Sequence, residues 1–432
     1  MRIILHIDFN SYFATVEQQA NPRLRGKPIG VTGGDRMERT VLGAASVEAK
    51  KFGVKTGMQI WEAQKLCPEI ILVRGDSDKY LETTKRFLNI LKDYSPYLEV
   101  FSIDEVFMEV TGDRVQVTEI AKDIKKRIRE EVGEWITCSV GISYNKIMAK
   151  LAGSLQKPDG LVVIPDQKTA IEVLDKIELD ALCGIGFRIK KRLNNMGIFN
   201  FAALRKVPLE ALLASFKSYG QILYNMSRGL DDRPIIPFYE KGEVKSIGHR
   251  HTIDHDTKDL EGIKQILLKL TELIARRLRA KKLVGKTVSC WYRSAILYTS
   301  DVSSGALGQS SNHIGSGLIT QGGGFLGDGM QMTIPYTNDG LEIFKVGWKA
   351  FLKIWEKGEI RMIGVSISNL KPTLPQTLSL LPETSRQESI IKTLDKINDK
   401  YGEFTLQRGI LLGSEKMTRK ANPFLADRRF KV

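Results

Sequence analysis

The 432-residue chain, 42% hydrophobic and 27% charged, suits a soluble globular protein of two to four domains. No run approaches the ~18 apolar residues of a membrane span, and MRIILHIDF is only briefly apolar before Asp8, so neither a spanning helix nor a signal peptide is expected. A formal net charge of +15 and a pI near 9.4 point to a polyanionic partner, nucleic acid first and an anionic membrane surface second.

The elements follow in chain order. IILHIDF (3–9) reads as a short buried strand ending on an acid, and SYFATVEQQA as a helix. IGVTGG and TVLGAAS read as strands or turns, VEAKKFGV as a helix stopped by Gly53, and IWEAQKLCPEI as a helix closed by Pro68. After the strand ILVRG comes a long amphipathic helix with Tyr80, Leu81, Phe87, Leu88 and Leu91 on its apolar face. YLEVFSIDEVFMEVTG, a helix over VTEIAKDIKKRIREEVG, the strand ITCSVGIS and the helix SYNKIMAKLAGSLQ complete an α/β or α+β core over about residues 1–165. Residues 166–230 look like short helices, and 231–243, with two prolines and several charges, like an extended interdomain linker. Strands and helices mix again from Val244 to Leu370. Within that module residues 300–330 are rich in Gly and Ser and read as a long flexible loop. A polar tail follows with one helical segment, SIIKTLDKINDKYG.

Cys67, Cys138, Cys183 and Cys290 form no C-x-x-C pair, which argues against a zinc or redox motif and fits a reducing cytoplasm. His249, His251 and His255 lack further Cys or His ligands nearby and read as strand or groove residues.

FSIDEVFMEV (101–110) sets Asp104 and Glu105 side by side among strand formers. Adjacent residues of a strand point to opposite faces, so one charge would meet the core, where an unpaired carboxylate is costly. A hairpin or bend at or near the pair resolves this, because both carboxylates then project at one end of a sheet. Asp8 also ends a strand. Three carboxylates without Cys or His are hard ligands suited to Mg²⁺ or Mn²⁺ rather than zinc. A pair of such ions stabilises both oxygens of an in-line phosphoryl displacement. Surface acids at strand ends are the plainer alternative.

HIDFNSYFATVEQQANPRLRGKPIGV, VEAKKFGVKTGM, FSIDEVF and SVGISYNKIMAKLAGSLQKPDG stand in the order and at roughly the spacing of a Y-family translesion DNA polymerase. The chain resembles the bacterial branch of that family from Met1 to about Leu370. The resemblance implies an α+β right hand: a ferredoxin-like palm (1–10 and 76–165), small fingers (11–75), a helix-hairpin-helix thumb (166–230), the linker, an α+β little finger (244–370) and a tail (371–432). It implies that Asp8, Asp104, Glu105 and the backbone carbonyl of Phe9 bind two Mg²⁺ ions, with Mn²⁺ as a substitute. Phe13 matches the steric gate that excludes a 2′-hydroxyl. The backbone N–H groups of Tyr12 and Phe13, near a helix start, are expected to hold the triphosphate, and Lys157 matches the family's triphosphate lysine. Lys146 and Lys150 share a helical face, and at least one reads as part of a solvated stripe.

The family usually carries Tyr and Arg where this chain has Val47 and Lys50. Val47 cannot hydrogen-bond a phosphate, and Lys50 keeps the charge without the bidentate fork, so weaker dNTP binding is expected. In LCGIGFRIKKRLNNMGI, Gly184 and Gly186 would let backbone N–H groups approach a DNA phosphate, with Lys190, Lys191 and Arg192 following. Lys245 and Arg250 are expected to hold template phosphates without reading sequence. PQTLSLLPE (375–383) resembles a sliding-clamp-binding peptide, with Gln376 as polar hook and Leu378, Leu380 and Leu381 as apolar anchors. The expected protein is a cytoplasmic monomer that extends primer-template DNA with dNTPs past damage. Its rivals are a non-catalytic DNA- and clamp-binding accessory protein of the same fold, which would lack the acids, and a nucleotide cyclase, which would not need the helix-hairpin-helix, the basic module or the clamp peptide.

Overall fold

The computed structural model describes residues 2–33, 40–240, 242–298, 319–320, 323–373, 382–402 and 404–411. They fall into two units that divide between residues 241 and 242.

The first unit runs β1 (Ile3–Phe9), α1 (Tyr12–Ala20), β2 (Ile29–Thr32), β3 (Leu42–Ala45), α2 (Val47–Lys51), α3 (Ile60–Leu66), β4 (Ile71–Arg74), α4 (Ser77–Lys92), β5 (Leu98–Val100), β6 (Glu105–Val110), α5 (Arg114–Arg127), β7 (Cys138–Ser143), α6 (Lys146–Leu155) and β8 (Leu161–Ile164). Short helices follow: α7 (Gln167–Leu174), α8 (Phe187–Asn194), α9 (Phe201–Lys206), α10 (Leu209–Phe216) and α11 (Ser218–Ser227). Strands β5-β6-β1-β7-β8 form one sheet and β3-β2-β4 a small second one. β8 is a four-residue apolar run, LVVI, that sequence reading passed over; it adds in parallel to β7 at the sheet edge. Burial of the central strands is near complete, which is why they read as apolar runs rather than alternating ones.

Helix α6 seats unusually close to this sheet. A Cβ on Gly141 of β7 would lie 2.1 Å from the Ala149 carbonyl oxygen and 2.2 Å from the Gly153 nitrogen, so only glycine fits there.

Residues 231–237 form no helix or strand, 238–240 make a turn, and the stretch is strapped to the first unit. Lys146 Nζ meets both Glu99 oxygens at 2.7 and 2.6 Å, and Glu99 also accepts the Ile236 N–H at 2.8 Å. Asp231 accepts the Ile147 N–H, and Ile235 is buried with Ile4, Phe107 and Ala149.

The second unit runs β9 (Ser246–Thr257), α12 (Leu260–Ala280), β10 (Leu283–Tyr298), β11 (Ile319–Thr320), β12 (Gly323–Thr337), α13 (Gly340–Ile354), β13 (Ile360–Pro372) and α14 (Pro382–Tyr401). Its strands form one antiparallel sheet, β11-β12-β10-β13-β9. The long loop expected over 300–330 is therefore corrected at its C-terminal end, where 323–330 belong to β12. One of its glycines has a packing cause: a Cβ at Gly327 would lie 2.3 Å from the Tyr292 carbonyl oxygen. Residues 299–318 lie outside the described residues. His249, His251 and His255 sit on β9 as strand residues. The expected tail helix is α14, and Arg279 to Asp395 and Arg276 to Asp399, both 2.6 Å, tie it to α12. Among the described residues no helix is long and apolar enough to cross a membrane.

Candidate active site

Strand alternation puts His6 and Asp8 of β1 on one face. Across the sheet Asp8 pairs with Glu105 of β6 on one side and with Ser139 of β7 on the other. The chain bends between β5 and β6. The Phe101 and Ser102 N–H groups donate to the Glu105 carbonyl at 3.0 and 3.2 Å, and the Phe9 N–H donates to the Asp104 carbonyl at 3.0 Å. Thr84 Oγ1 on α4 donates to the Ile103 carbonyl and pins the bend. Asp104 thus ends a turn and Glu105 begins a strand, which brings both acids to the Asp8 end of the sheet.

The three carboxylates have different surroundings. Glu105 Oε2 accepts from His6 Nε2 at 3.0 Å and from the Lys150 ammonium. Burial pushes the Glu105 carboxyl up, but the bonds from His6 and Lys150 outweigh it and hold the group down at about 2. Asp104 lacks such partners: burial raises its pKa, the hydroxyl of Ser102 (Oγ to Oδ1, 2.5 Å) opposes this, and the charges of Asp8 and Glu105 add to the rise. Asp8 Oδ1 meets Lys157 Nζ at 2.7 Å. One ligand atom each from His6, Asp8 and Glu105 lies within 4.8 Å of the others. In this group His6 stands where the sequence reading puts Asp104, which lines the cavity with Asp8. The oxygen-rich donor set, crowded with like charge, fits a hard divalent cation.

A cavity of about 570 Å³ opens at Asp8 and Asp104. Asp8, Phe9, Tyr12, Phe13, Val47, Lys50, Asp104 and Lys157 all line it. So do Ser11, Lys51 and Thr56, which sequence reading did not single out. The Phe13 ring stacks on Tyr80 with centroids 4.4 Å apart, and Tyr80 donates its hydroxyl to the buried Glu17 at 2.7 Å. Tyr12 points away: its buried hydroxyl bonds the Tyr80 carbonyl and Thr84, which leaves its backbone for the cavity. Ser11 takes the left-handed conformation (φ 48°) before α1, and no side chain caps that helix. An uncapped helix start is a ready anion site. Lys50 has its pKa lowered by burial and then by the neighbouring charge of Lys157.

Residues 7–154 match the model of the impB/mucB/samB family, 244–380 its C-terminal domain, and 180–231 the DNA polymerase-iota thumb domain. DNA polymerase IV of Pelotomaculum thermopropionicum is 35% identical over 95% of both chains, and that of Moorella thermoacetica 35% identical over 95% of this chain and 96% of its own. The chain belongs to the Y family of DNA polymerases. A solved Y-family DNA polymerase chimera, 26% identical, superposes with a TM-score of 0.67 over 85% of this chain and 98% of its own.

Other expected residues of this polymerase spread more widely. Lys146 and Lys150 correct the solvated-stripe reading: Lys146 is buried in its pair with Glu99, and Lys150 is spent on Glu105. Both lie where α6 crosses acid-bearing strands, which a helical wheel cannot reveal. Gly184 (φ +108°) and Gly186, the residue before α8, are exposed. Lys190 is tied to Asp180 at 2.8 Å and Glu178 at 3.1 Å, a structural use of its charge. Lys245 and Arg250 are exposed. Gln376, Leu378, Leu380 and Leu381 lie outside the described residues. His6 is the residue sequence reading missed. The available signal was its place two residues before Asp8, on the same face of β1.

Proposed function

We propose that Asp8, Asp104 and Glu105 are the acids at which this template-directed translesion polymerase joins deoxynucleotides to a primer 3′-hydroxyl. The observation that carries the reading is one cavity lined at once by Asp8, Asp104, Phe13 and Lys157, with Glu105 paired to Asp8 below it. With the Phe9 carbonyl, the acids would hold two Mg²⁺ ions, or Mn²⁺ in their place. The ions, when bound, would activate the 3′-hydroxyl and neutralise the triphosphate. Lys157, Lys50 and the start of α1 bind and orient the phosphates, so that the α-phosphate faces the primer end. Phe13, stiffened by Tyr80, fills the space under the sugar where a 2′-hydroxyl would sit.

In domain terms, 1–10 and 76–165 form the palm, 11–75 the fingers, 166–230 the thumb and 244–370 the little finger, joined by 231–243. Gly184, Gly186, Lys245 and Arg250 would bear on DNA phosphates, and 375–383 on a sliding clamp; Lys190, already paired with Asp180 and Glu178, would not. The protein acts as a cytoplasmic monomer.

Primer extension with Mg²⁺ tests the centre. The wild type extends a primer across a template, and Asp104→Ala loses at least about 10³-fold in kcat while still binding DNA. An Asp104→Ala enzyme as fast as the wild type, or a wild type that extends nothing, overturns the reading. Deletion of 376–381 leaves basal extension intact and abolishes its stimulation by a clamp; surviving stimulation would remove the clamp assignment.

A further inference from the structure

We propose that His6 is a positioning residue for the acid site: it clamps one oxygen of Glu105 and so presents the other to a divalent cation. The inference rests on Glu105 being one of the metal-binding acids.

His6 is 1% exposed and walled in on every side. The Phe107 ring lies against it with centroids 4.7 Å apart, Gly141 is its partner across β1 and β7, and Gly153 of α6 covers its far edge. A Cβ on Gly153 would sit 3.2 Å from Nδ1, and Nδ1 has no hydrogen-bond partner. The opposite nitrogen, Nε2, lies 3.0 Å from Glu105 Oε2. These contacts select a tautomer. A proton on Nδ1 would be buried against α6 with no acceptor, and a bare Nε2 would face a carboxylate oxygen. The neutral Nε2–H form satisfies Glu105 and leaves Nδ1 without a proton.

Two donors then converge on one oxygen. Lys150 Nζ and His6 Nε2 both reach Oε2, which leaves Oε1 for the cation. The two are not equivalent. The Lys150 ammonium rides on a flexible four-carbon stem and follows any nearby anion. The imidazole cannot move without opening the contact between α6 and the sheet. Orientation of ligating carboxylates by hydrogen bonds of this kind typically changes metal affinity or activity 10- to 100-fold.

The test measures cation binding rather than turnover. Mn²⁺ affinity is read by electron paramagnetic resonance on the full chain bound to dNTP and a primer-template with a 3′-dideoxy end, which blocks the reaction. His6→Leu is expected to weaken Mn²⁺ binding about 10- to 100-fold. His6→Gln, whose amide nitrogen takes the place of Nε2, is expected to bind within a few-fold of wild type. Since both variants remove the ring, recovery by glutamine alone separates positioning from packing. Equal binding by His6→Leu and wild type overturns the proposal, as does a His6→Gln as weak as His6→Leu. Strong imidazole nitrogen modulation in the wild-type echo spectrum also overturns it, because His6 would then be a ligand. Glu105→Gln binding Mn²⁺ as tightly as wild type would instead remove the Glu105 reading, and this proposal with it.

Discussion

Two five-stranded sheets carry most of the molecule, and the sides they turn to their helices differ in chemistry. In the second unit Val288 and Cys290 of β10 and Ile363, Val365 and Ile367 of β13 pack on Leu267, Ile274, Ile343 and Phe351 of α12 and α13. Its charged groups sit outside that core, in pairs such as Arg361 with Asp256. In the first unit the central strand brings His6 and Asp8 to the sheet's helix-facing side, and α6 answers with Lys150 and Lys146. An apolar face is held by area and tolerates adjustment. A face with buried charge needs every donor aimed, because an unmatched group costs its full desolvation. The first sheet therefore depends on the exact seating of one helix, and the second does not.

Two glycine substitutions break the comparison at its strongest point. Gly141→Ala would drive a methyl into the α6 backbone, which can respond only by lifting off the sheet. The expected cost is about 3 kcal/mol or more, with extension lost because Lys150 and His6 lose their register on Glu105. Gly347→Ala on α13 meets nothing closer than 3.8 Å and should stabilise by about 0.5–1 kcal/mol through helix propensity. Urea unfolding of both variants decides; a Gly141→Ala as stable as wild type would show that close approach does not seat α6.

The same contrast explains what was legible in the sequence. The strands β1, β6 and β7, the bend at Asp104 and helices α1, α4 and α6 follow from periodicity and from the cost of a charge inside a strand. Those causes are local. The parts that were missed depend on distant partners. LVVI at 161–164, no shorter than the strand read at 71–74, shows its place only when β7 lies beside it in parallel. Residues 323–330 read as loop from their glycines, one of which, Gly327, answers to the Tyr292 backbone on β10. Lys146 and Lys150 look solvated on a helical wheel, and only the fold sets Glu99 and Glu105 under them. His6 among isoleucines and leucines looks like core until Glu105, diagonally across the sheet opposite Asp8, is seen to reach its ring.

The adjacent acids sharpen the comparison next, since the fold lowers the pKa of one and raises that of the other. In chelator, Glu105→Gln should lower stability at neutral pH by on the order of 2–3 kcal/mol, from a carboxyl held at about 2 rather than 4.5. The sign follows from the depressed value: the contribution is present above the unfolded pKa and is lost as pH falls through about 2. Asp104 has the opposite sign. Its raised pKa means that its charge destabilises the folded state at neutral pH, and acidification relieves it. Asp104→Asn should therefore raise the melting temperature in chelator, and added Mg²⁺ should raise that of the wild type but not of the variant. Melting curves at pH 7 with and without Mg²⁺ check both. An Asp104→Asn that melts below wild type in chelator would mean the carboxylate is paired after all.

A further expected effect lies at Val47 and Lys50, which line the same cavity as Asp8 and Asp104. Val47 offers no donor, and Lys50 already bears the neighbouring charge of Lys157, so a triphosphate gains less there than from a Tyr and an Arg. A hydrogen bond to a charged group contributes about 1.5–3 kcal/mol, so Val47→Tyr with Lys50→Arg should lower the KM for dNTP by roughly tenfold. Each change alone should give part of that, and kcat should move less than KM, because these contacts hold the phosphates rather than the reacting oxygen. Steady-state extension kinetics on the three variants decide between two views of these positions. Unchanged KM and kcat in all three would mean that the acids, Lys157 and the start of α1 already supply all the phosphate binding the site uses.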